Sequence, residues 1–227
     1  MMNFYAAVGS YRIKEENGHK VPYIQKLGKL YPISIPEFVI WSTLLWEVME
    51  YRDLRAIYEE QMRQYEQTVP GFDELLTLLL KRKLVMCGIG YTGADALYNM
   101  LADAFVIPYR IRSARKILKS LKMIAQGKLS GADLFRAFKP TELTFYEQRV
   151  SDLVAQTPLN TAEIIRCFDR NVQDVSTPEK VIAAIYTEDD TDQQHIANEE
   201  CKSAFTNAVL TAVSNLYLKR KVILEIP

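Results

Sequence analysis

The stretch Leu80-Lys81-Arg82-Lys83-Leu84-Val85 has a near copy further along the chain, Leu218-Lys219-Arg220-Lys221-Val222-Ile223. In both, an apolar helical pattern runs into three cations and then into aliphatic and β-branched residues. Cations in the last turn of a helix interact favourably with the negative end of its dipole, and Val, Ile and Leu favour an extended chain. Each stretch therefore predicts the end of a helix and the start of a strand, and together they indicate two similar modules.

The composition is typical of a globular protein. The 227 residues are 48% hydrophobic and 25% charged, which suits one large domain or two small ones. Because 28 Lys and Arg balance 28 Asp and Glu, binding to nucleic acid requires local charge asymmetry. No secretion signal or membrane span is recognisable, so we expect a cytoplasmic protein with no membrane partner. The three dispersed cysteines are expected to be reduced thiols.

The residues before the first helical pattern favour β structure. Tyr11-Arg12-Ile13 and Val21-Pro22-Tyr23-Ile24 flank Asn17-Gly18, a pair that readily adopts the positive φ angles of a tight hairpin turn. A second turn at Gly28 leads into Leu30-Tyr31-Pro32-Ile33. The sequence therefore predicts an N-terminal hairpin or a three-stranded sheet.

Three helices are predicted between residues 36 and 81. Ser34-Ile35-Pro36-Glu37 has the N-cap, the early proline and the returning carboxylate of a helix start. A more polar helix covers roughly residues 52–65, and Val69-Pro70-Gly71 breaks it. From Phe72 onward apolar residues repeat at i, i+3, i+4 and i+7, which predicts a third helix ending at the first cationic stretch.

Glycines punctuate the chain after this module, in Gly88-Ile89-Gly90-Tyr91-Thr92-Gly93. The stretch is typical of a turn in a wing-like loop. Its spacing also matches the phosphate-binding loop of dinucleotide-binding folds, but the chain lacks the alternating strands and helices of a doubly wound sheet. Residues 94–105 then predict a helix, which Pro108 ends.

Residues 110–126 are the most one-sided segment in charge. No acid lies between Asp103 and Asp133, and five cations are predicted to share one helical face: Arg112, Arg115, Lys116, Lys119 and Lys122. Two interpretations stay open, a strip that binds phosphates or another anionic surface, and a solvated linker helix. We take residues 109–157 as a helical connector.

The second module, residues 158–227, repeats the helical pattern. Asn160-Thr161-Ala162-Glu163 is another cap-and-carboxylate start, and Thr177-Pro178 begins a further helix. An acidic segment at residues 188–192 predicts a surface loop. A long third helix from about Cys201 ends at the second cationic stretch and leads into one terminal strand.

Three helices with a strand after the third resemble the winged-helix fold in two copies, covering about residues 36–91 and 158–226. The expected fold class is mainly α with small β elements, an α+β protein whose two winged-helix-like modules are joined by the connector. Residues 1–108 then hold the N-terminal hairpin and the first module. The hairpin also resembles the small winged-helix domains that clamp leader peptides during maturation of ribosomally made peptides. In those domains a sheet edge takes up an extended strand.

The resemblance implies a DNA-binding transcriptional regulator as the first hypothesis, because winged-helix modules place their third helix in the major groove of double-stranded DNA. The third helix of the first module is rich in leucine and carries two acids, so the second module is the better candidate. For its polar residues the alternative is ordinary exposed helix polarity. The predicted nucleic-acid contacts are Arg112, Arg115, Lys116 and Lys119 in the connector and Lys202, Ser203, Thr206, Asn207, Thr211, Lys219, Arg220 and Lys221 in the second module.

The alternative hypothesis is a protein- or peptide-binding adaptor that uses winged-helix surfaces and the N-terminal sheet edge. Zero net charge favours it. A homodimer is compatible with both hypotheses. An enzyme is not expected, because neither His19 nor His195 lies near a nucleophile-like serine or cysteine in sequence. No cofactor and no metal site are predicted, since no spacing of Cys and His suits a metal cage.

Overall fold

A computed structural model describes residues 1–16, 18–63, 70–109, 142–186, 196 and 203–227. These residues form eight helices and three small antiparallel sheets of three strands each, which confirms a mixed α+β class. The strands are β1 (Met2–Ala7), β2 (Ser10–Glu16), β3 (His19–Lys26), β4 (Lys29–Pro32), β5 (Met49–Glu50), β6 (Val85–Gly90), β7 (Phe105–Pro108), β8 (Leu159–Asn160) and β9 (Val222–Glu225). The helices are α1 (Ile35–Leu44), α2 (Tyr51–Met62), α3 (Phe72–Lys81), α4 (Gly93–Leu101), α5 (Phe145–Gln156), α6 (Thr161–Asp169), α7 (Pro178–Ile185) and α8 (Thr206–Leu218).

The first unit is built on a sheet in the order β5-β1-β6. Helices α1, α2 and α3 bury their apolar faces against one another and against this sheet, with Trp41 and Leu79 fully buried at the centre. The start of α1 follows the sequence, because the Ser34 hydroxyl accepts the N–H of Glu37 and the Glu37 carboxylate accepts the N–H of Ser34.

The second unit is built on a sheet in the order β8-β7-β9. Helices α5, α6 and α8 pack around a core that includes Leu153, Ile165 and Leu216. The predicted helix start at Asn160 is confirmed, with a reciprocal capping pair between Asn160 and Glu163. This unit begins at Phe105, because β7 pairs with both β8 and β9 and because α5 packs on α8.

The two units repeat one arrangement: a central strand, a helix, a two-residue strand, further helices and an edge strand. The pairing registers correspond residue by residue. Tyr5 faces Met49 and Val106 faces Leu159, while Ala7 faces Val85 and Pro108 faces Val222. The units therefore share both topology and register.

The sequence pattern does not predict the central strands β1 and β7. It predicts one helix over residues 94–105, but α4 ends at Leu101 and Phe105–Pro108 forms β7. The predicted wing-like turn at residues 88–93 is also different, because β6 continues to Gly90 and pairs with β1. A Cβ on Gly88 would lie 2.1 Å from the carbonyl oxygen of Ala96, so this glycine lets α4 pack directly on the strand.

The third sheet, in the order β2-β3-β4, is inserted between β1 and α1. It confirms the three-stranded alternative predicted from the turn residues. Strands β3 and β4 are joined by Leu27 and Gly28, both with positive φ, as a two-residue hairpin requires. In the described ranges, no helix combines the length and apolar character needed to span a bilayer.

Candidate functional site

Strand β2 forms an open edge of the third sheet. Residues flanking a two-residue hairpin turn exchange hydrogen bonds, and bonded and non-bonded pairs then alternate along the strands. Counting from the Glu16–His19 pair, the main-chain groups of Tyr11, Ile13 and Glu15 point away from β3. Pro22, which has no N–H, falls at a β3 position not bonded to β2, in agreement with this alternation.

One face of β2 is apolar and continuous with helix α1. The Tyr11 ring lies edge-on to Phe38, with centroids 5.9 Å apart, and 6.4 Å from Trp41. Ile13 is next along this face and is 58% exposed. A strand placed beside β2 would therefore cover exposed apolar surface and also gain main-chain hydrogen bonds.

The opposite face of β2 carries two cations, Arg12 and Lys14, and at its end Glu16, whose carboxylate accepts a hydrogen bond from the Tyr23 hydroxyl. The Arg12 side chain donates from Nε to Oε1 of Gln25 at 2.5 Å, and the Lys14 ammonium lies 5.2 Å from the centroid of the Tyr23 ring. Among the ion pairs of the described ranges, none includes Arg12 or Lys14. Both cations are exposed, and their charged groups lie beside Gln25 and Tyr23 of β3 on this face of the sheet.

The sheet is anchored to the second unit at its β3–β4 turn. Leu27 has φ of +46°, an uncommon conformation for a non-glycine residue, and its N–H donates to Oε2 of Glu225 at 3.0 Å. Glu225 is 8% exposed. Burial raises the pKa of this carboxyl group, and the hydrogen bond from Leu27 opposes the shift. Glu225 thus fixes the turn.

The other edge of the sheet, β4, is less open. It has four residues, of which Leu30 and Pro32 direct main-chain groups outward by the same alternation. The Arg82 guanidinium already donates to the carbonyl oxygen of Pro32, and Pro32 has no N–H. Strand β2 is therefore the better edge for strand addition.

The predicted DNA-contacting residues at the start of α8 differ in accessibility. Thr206 is buried, while Asn207 and Thr211 are exposed. The Thr211 hydroxyl donates to the carbonyl oxygen of Asn207 within the helix. Ser203 is half-buried, and its hydroxyl accepts the N–H of Phe205. The exposed polar surface of this helix is therefore small.

The second cationic stretch makes contacts within the molecule. The Lys219 ammonium donates to both carboxylate oxygens of Glu147, at 2.7 and 2.9 Å. The guanidinium of Arg220 lies 5.3 Å from the centroid of the Trp46 ring. The side chain of Lys221 is exposed, and its carbonyl oxygen accepts the N–H of Tyr109.

The remaining predicted contacts, Arg112, Arg115, Lys116, Lys119 and Lys202, lie outside the described residues. Their contribution to nucleic-acid binding therefore stays a prediction. The predicted site residues do not include Arg12, Ile13 and Lys14 of β2. The alternation Tyr-Arg-Ile-Lys beside Asn17-Gly18 is the sequence signal that identifies them.

Comparison with known proteins gave no match of any kind: no family model fits the chain, and searches of curated proteins and of solved structures found no significant similarity.

Proposed function

We propose that this chain is a peptide-binding adaptor that takes up an extended segment of a partner as an additional strand on β2. The observation that carries the proposal is the row of outward main-chain groups on Tyr11, Ile13 and Glu15. These groups lie outside the β2–β3 ladder, and in the described part of the chain no other backbone hydrogen bond uses them. Strand addition would satisfy them and provide affinity with little dependence on sequence.

The surrounding architecture suits this function. We propose that both units are winged-helix-like, with β2–β4 inserted into the first unit. A hairpin sheet before three helices resembles the domains that clamp leader peptides, and this resemblance supports an extended ligand. Two cations of the repeated stretches, Arg82 and Lys219, form ion pairs with buried or nearly buried glutamates, which supports a structural role for them.

A proline scan of the edge tests strand addition. Ile13→Pro removes the central outward N–H, and an edge strand tolerates proline at such a position because that N–H is not used in the ladder. Ile13→Ala keeps the N–H and is the matched control. A displayed library of random 12-residue peptides would be selected on the wild-type chain, and enriched peptides measured by fluorescence anisotropy.

We expect enriched peptides to bind Ile13→Pro at least about tenfold more weakly than Ile13→Ala. Slower amide hydrogen exchange at Tyr11, Ile13 and Glu15 in the complex would locate the added strand. Equal affinity of the peptides for the proline and alanine variants would refute the proposal, as would failure of the library to enrich any binder.

DNA binding is the second candidate function, favoured by the exposed Asn207 and Thr211 one turn apart on α8. Anisotropy with a labelled random-sequence duplex should then show binding that weakens steeply with salt. Replacing both residues with alanine should reduce affinity for a selected site by about tenfold or more. No binding at low salt would exclude this candidate.

A further inference from the structure

The charges on β2 determine which strands can lie beside it. Side chains alternate along the edge, with Tyr11, Ile13 and Glu15 on the α1 side and Arg12, Lys14 and Glu16 on the other. Directly opposed residues on neighbouring strands have Cβ atoms about 5 Å apart, so opposite charges there stabilise pairing and like charges destabilise it. The two cations therefore act on any added strand.

Antiparallel pairing of β2 with β2 of a second copy is unfavourable in two of the three registers that overlap best. The outward groups of both strands must meet, so odd-numbered residues pair with odd-numbered residues. Centring the pair on Ile13 sets Arg12 against the second copy's Lys14, twice. Centring it on Arg12 sets that cation against itself. Centring it on Lys14 sets Lys14 against itself but also places Arg12 opposite Glu16, twice. Two of these three arrangements therefore oppose like charges without compensation, and self-association of this edge is restricted to the third.

We infer that the ligand of β2 is an extended segment in which acidic and apolar residues alternate. Acidic side chains two positions apart would face Arg12 and Lys14, and the apolar residues between them would contact Tyr11 and Ile13 on the α1 side. The inference rests on the proposed strand addition and specifies the class of peptide that the edge selects. Neutralising two cations that have no acidic partner in the described ranges provides the selectivity.

Three labelled ten-residue peptides test this chemistry, with Val alternating with Glu, Gln or Lys. The wild-type chain should bind the Val-Glu peptide about tenfold or more tightly than the Val-Lys peptide, with the Val-Gln peptide between them. In the double variant Arg12→Glu and Lys14→Glu the order should reverse. The variant Arg55→Glu and Arg63→Glu, which changes exposed cations on α2 and at its C-cap, should keep the wild-type order.

The outcomes separate this inference from the proposed function. Binding of all three peptides with equal affinity, or an order unchanged in the Arg12→Glu and Lys14→Glu variant, would overturn the charge preference and leave strand addition in place. Failure of the three peptides when library-selected peptides of another composition bind would also overturn it. If neither these peptides nor any library peptide binds, the proposed function itself fails. Circular dichroism of each variant checks that the fold is kept.

Discussion

At the scale of single residues, two glutamates connect distant parts of each unit. Glu37 caps α1 and pairs with Arg82 at 2.9 Å, and Glu147 caps α5 and pairs with Lys219 at 2.7 Å. In both units a capping carboxylate at the start of the first helix therefore meets the cation at the C-cap of the last helix. Such a bond fixes the relative position of the two helices.

Glu147 is fully buried and remains ionised because of its partners. Burial alone would raise its pKa, but hydrogen bonds from Lys219, the N–H of Thr144 and Asn215 outweigh burial, and the pKa is lowered. A lowered pKa means that the unfolded chain binds the proton more readily than the folded one. The stabilisation is thus complete above the unfolded pKa and is lost as the pH falls through the folded value.

The first prediction concerns Glu147→Gln. This change removes the charge but nearly keeps the shape, and it should lower the free energy of unfolding at pH 7 by about 2 kcal/mol, since Lys219 loses a charged partner. Urea denaturation at pH 7 and pH 3 measures the effect. The difference from wild type should shrink at pH 3, because the wild-type carboxyl group is then largely protonated in the unfolded chain.

Glu59→Gln is the control for this prediction. Glu59 pairs with Arg55, but both side chains are about half exposed, so the change should cost less than about 0.5 kcal/mol. A loss for Glu147→Gln no larger than that of the control, or one that does not change with pH, would contradict the role assigned to Glu147.

The capping pairs show what sequence reasoning can reach at this scale. Ser34 with Glu37 and Asn160 with Glu163 are three residues apart, so their local geometry follows from the sequence. The partners Arg82 and Lys219 lie 45 and 72 residues from their glutamates, and only the fold brings them together. The cations were predicted as helix ends, but their partners could not be read from spacing.

At the scale of elements, α4 and β6 are in close contact through two glycines. A Cβ on Gly88 would lie 2.5 Å from both Met100 N and Met100 Cβ, besides its contact with Ala96. A second glycine of the strand, Gly90, would bring a Cβ to 2.3 Å from the N–H nitrogen of Ala96. The absence of side chains at both positions allows the helix to lie on the strand.

The second prediction is that Gly88→Ala lowers the free energy of unfolding by about 3 kcal/mol, because α4 must move away from β6. Gly71→Ala is the matched control. A Cβ at Gly71 meets nothing within 4 Å and its φ is −61°, so the change should cost less than about 1 kcal/mol. Thermal denaturation of both variants measures the difference in stability. Similar midpoints for Gly88→Ala and Gly71→Ala would refute the prediction.

The repeated cationic stretches mark equivalent helix ends, but the structural alignment of the two stretches differs from their sequence alignment by one residue. The helix C-caps are Arg82 and Lys219, and the residues after them, Lys83 and Arg220, both have positive φ, at 53° and 57°. In the sequence alignment of the two stretches, however, Arg82 aligns with Arg220. The sequence thus predicted the helix ends correctly, but hydrogen bonding sets which residues correspond.

The central strands were missed for a physical reason. β1 and β7 are short, and their partners come from 40 to more than 100 residues away along the chain. Local pattern alone does not show which short apolar stretch becomes a strand when tertiary pairing decides it. The β2–β3–β4 sheet was predicted because both of its turns are local.

At the scale of the whole molecule, the two units share a junction of main-chain and aromatic contacts. The Tyr217 hydroxyl, in the second unit, lies 2.9 Å from the carbonyl oxygen of Leu44 in the first. Gly9 donates its N–H to the carbonyl oxygen of Leu224 at 2.8 Å. Trp46 lies against Tyr109, with ring centroids 5.1 Å apart. The junction is therefore specific in geometry.

The third prediction is that the two units unfold in one cooperative transition. If one unit unfolded alone, the polar groups of the other unit at the junction would lose their hydrogen-bond partners. Both tryptophans, Trp41 and Trp46, lie in the first unit, whereas far-UV circular dichroism reports helices of both units. In urea, the fluorescence and dichroism midpoints should coincide. Two separate transitions would show that the junction is weak.

The fourth prediction concerns the strength of the junction. Tyr217→Phe removes the hydroxyl and leaves the buried carbonyl oxygen of Leu44 without this donor, so it should cost about 1–2 kcal/mol. Tyr146→Phe, on a half-buried tyrosine of α5, is the control and should cost less. Urea midpoints measure both. Equal losses would mean that the Tyr217 hydroxyl adds nothing specific.

The hydrogen bond from Leu27 to Glu225 joins residues 198 positions apart and has a thermodynamic consequence. If ordering of the third sheet and ordering of β9 stabilise each other, the coupling free energy is the same in both directions. A strand bound on β2 must then suppress local opening of β9. Amide protons of Leu224 and Glu225 should exchange more slowly in the complex, although no ligand atom is expected to reach them.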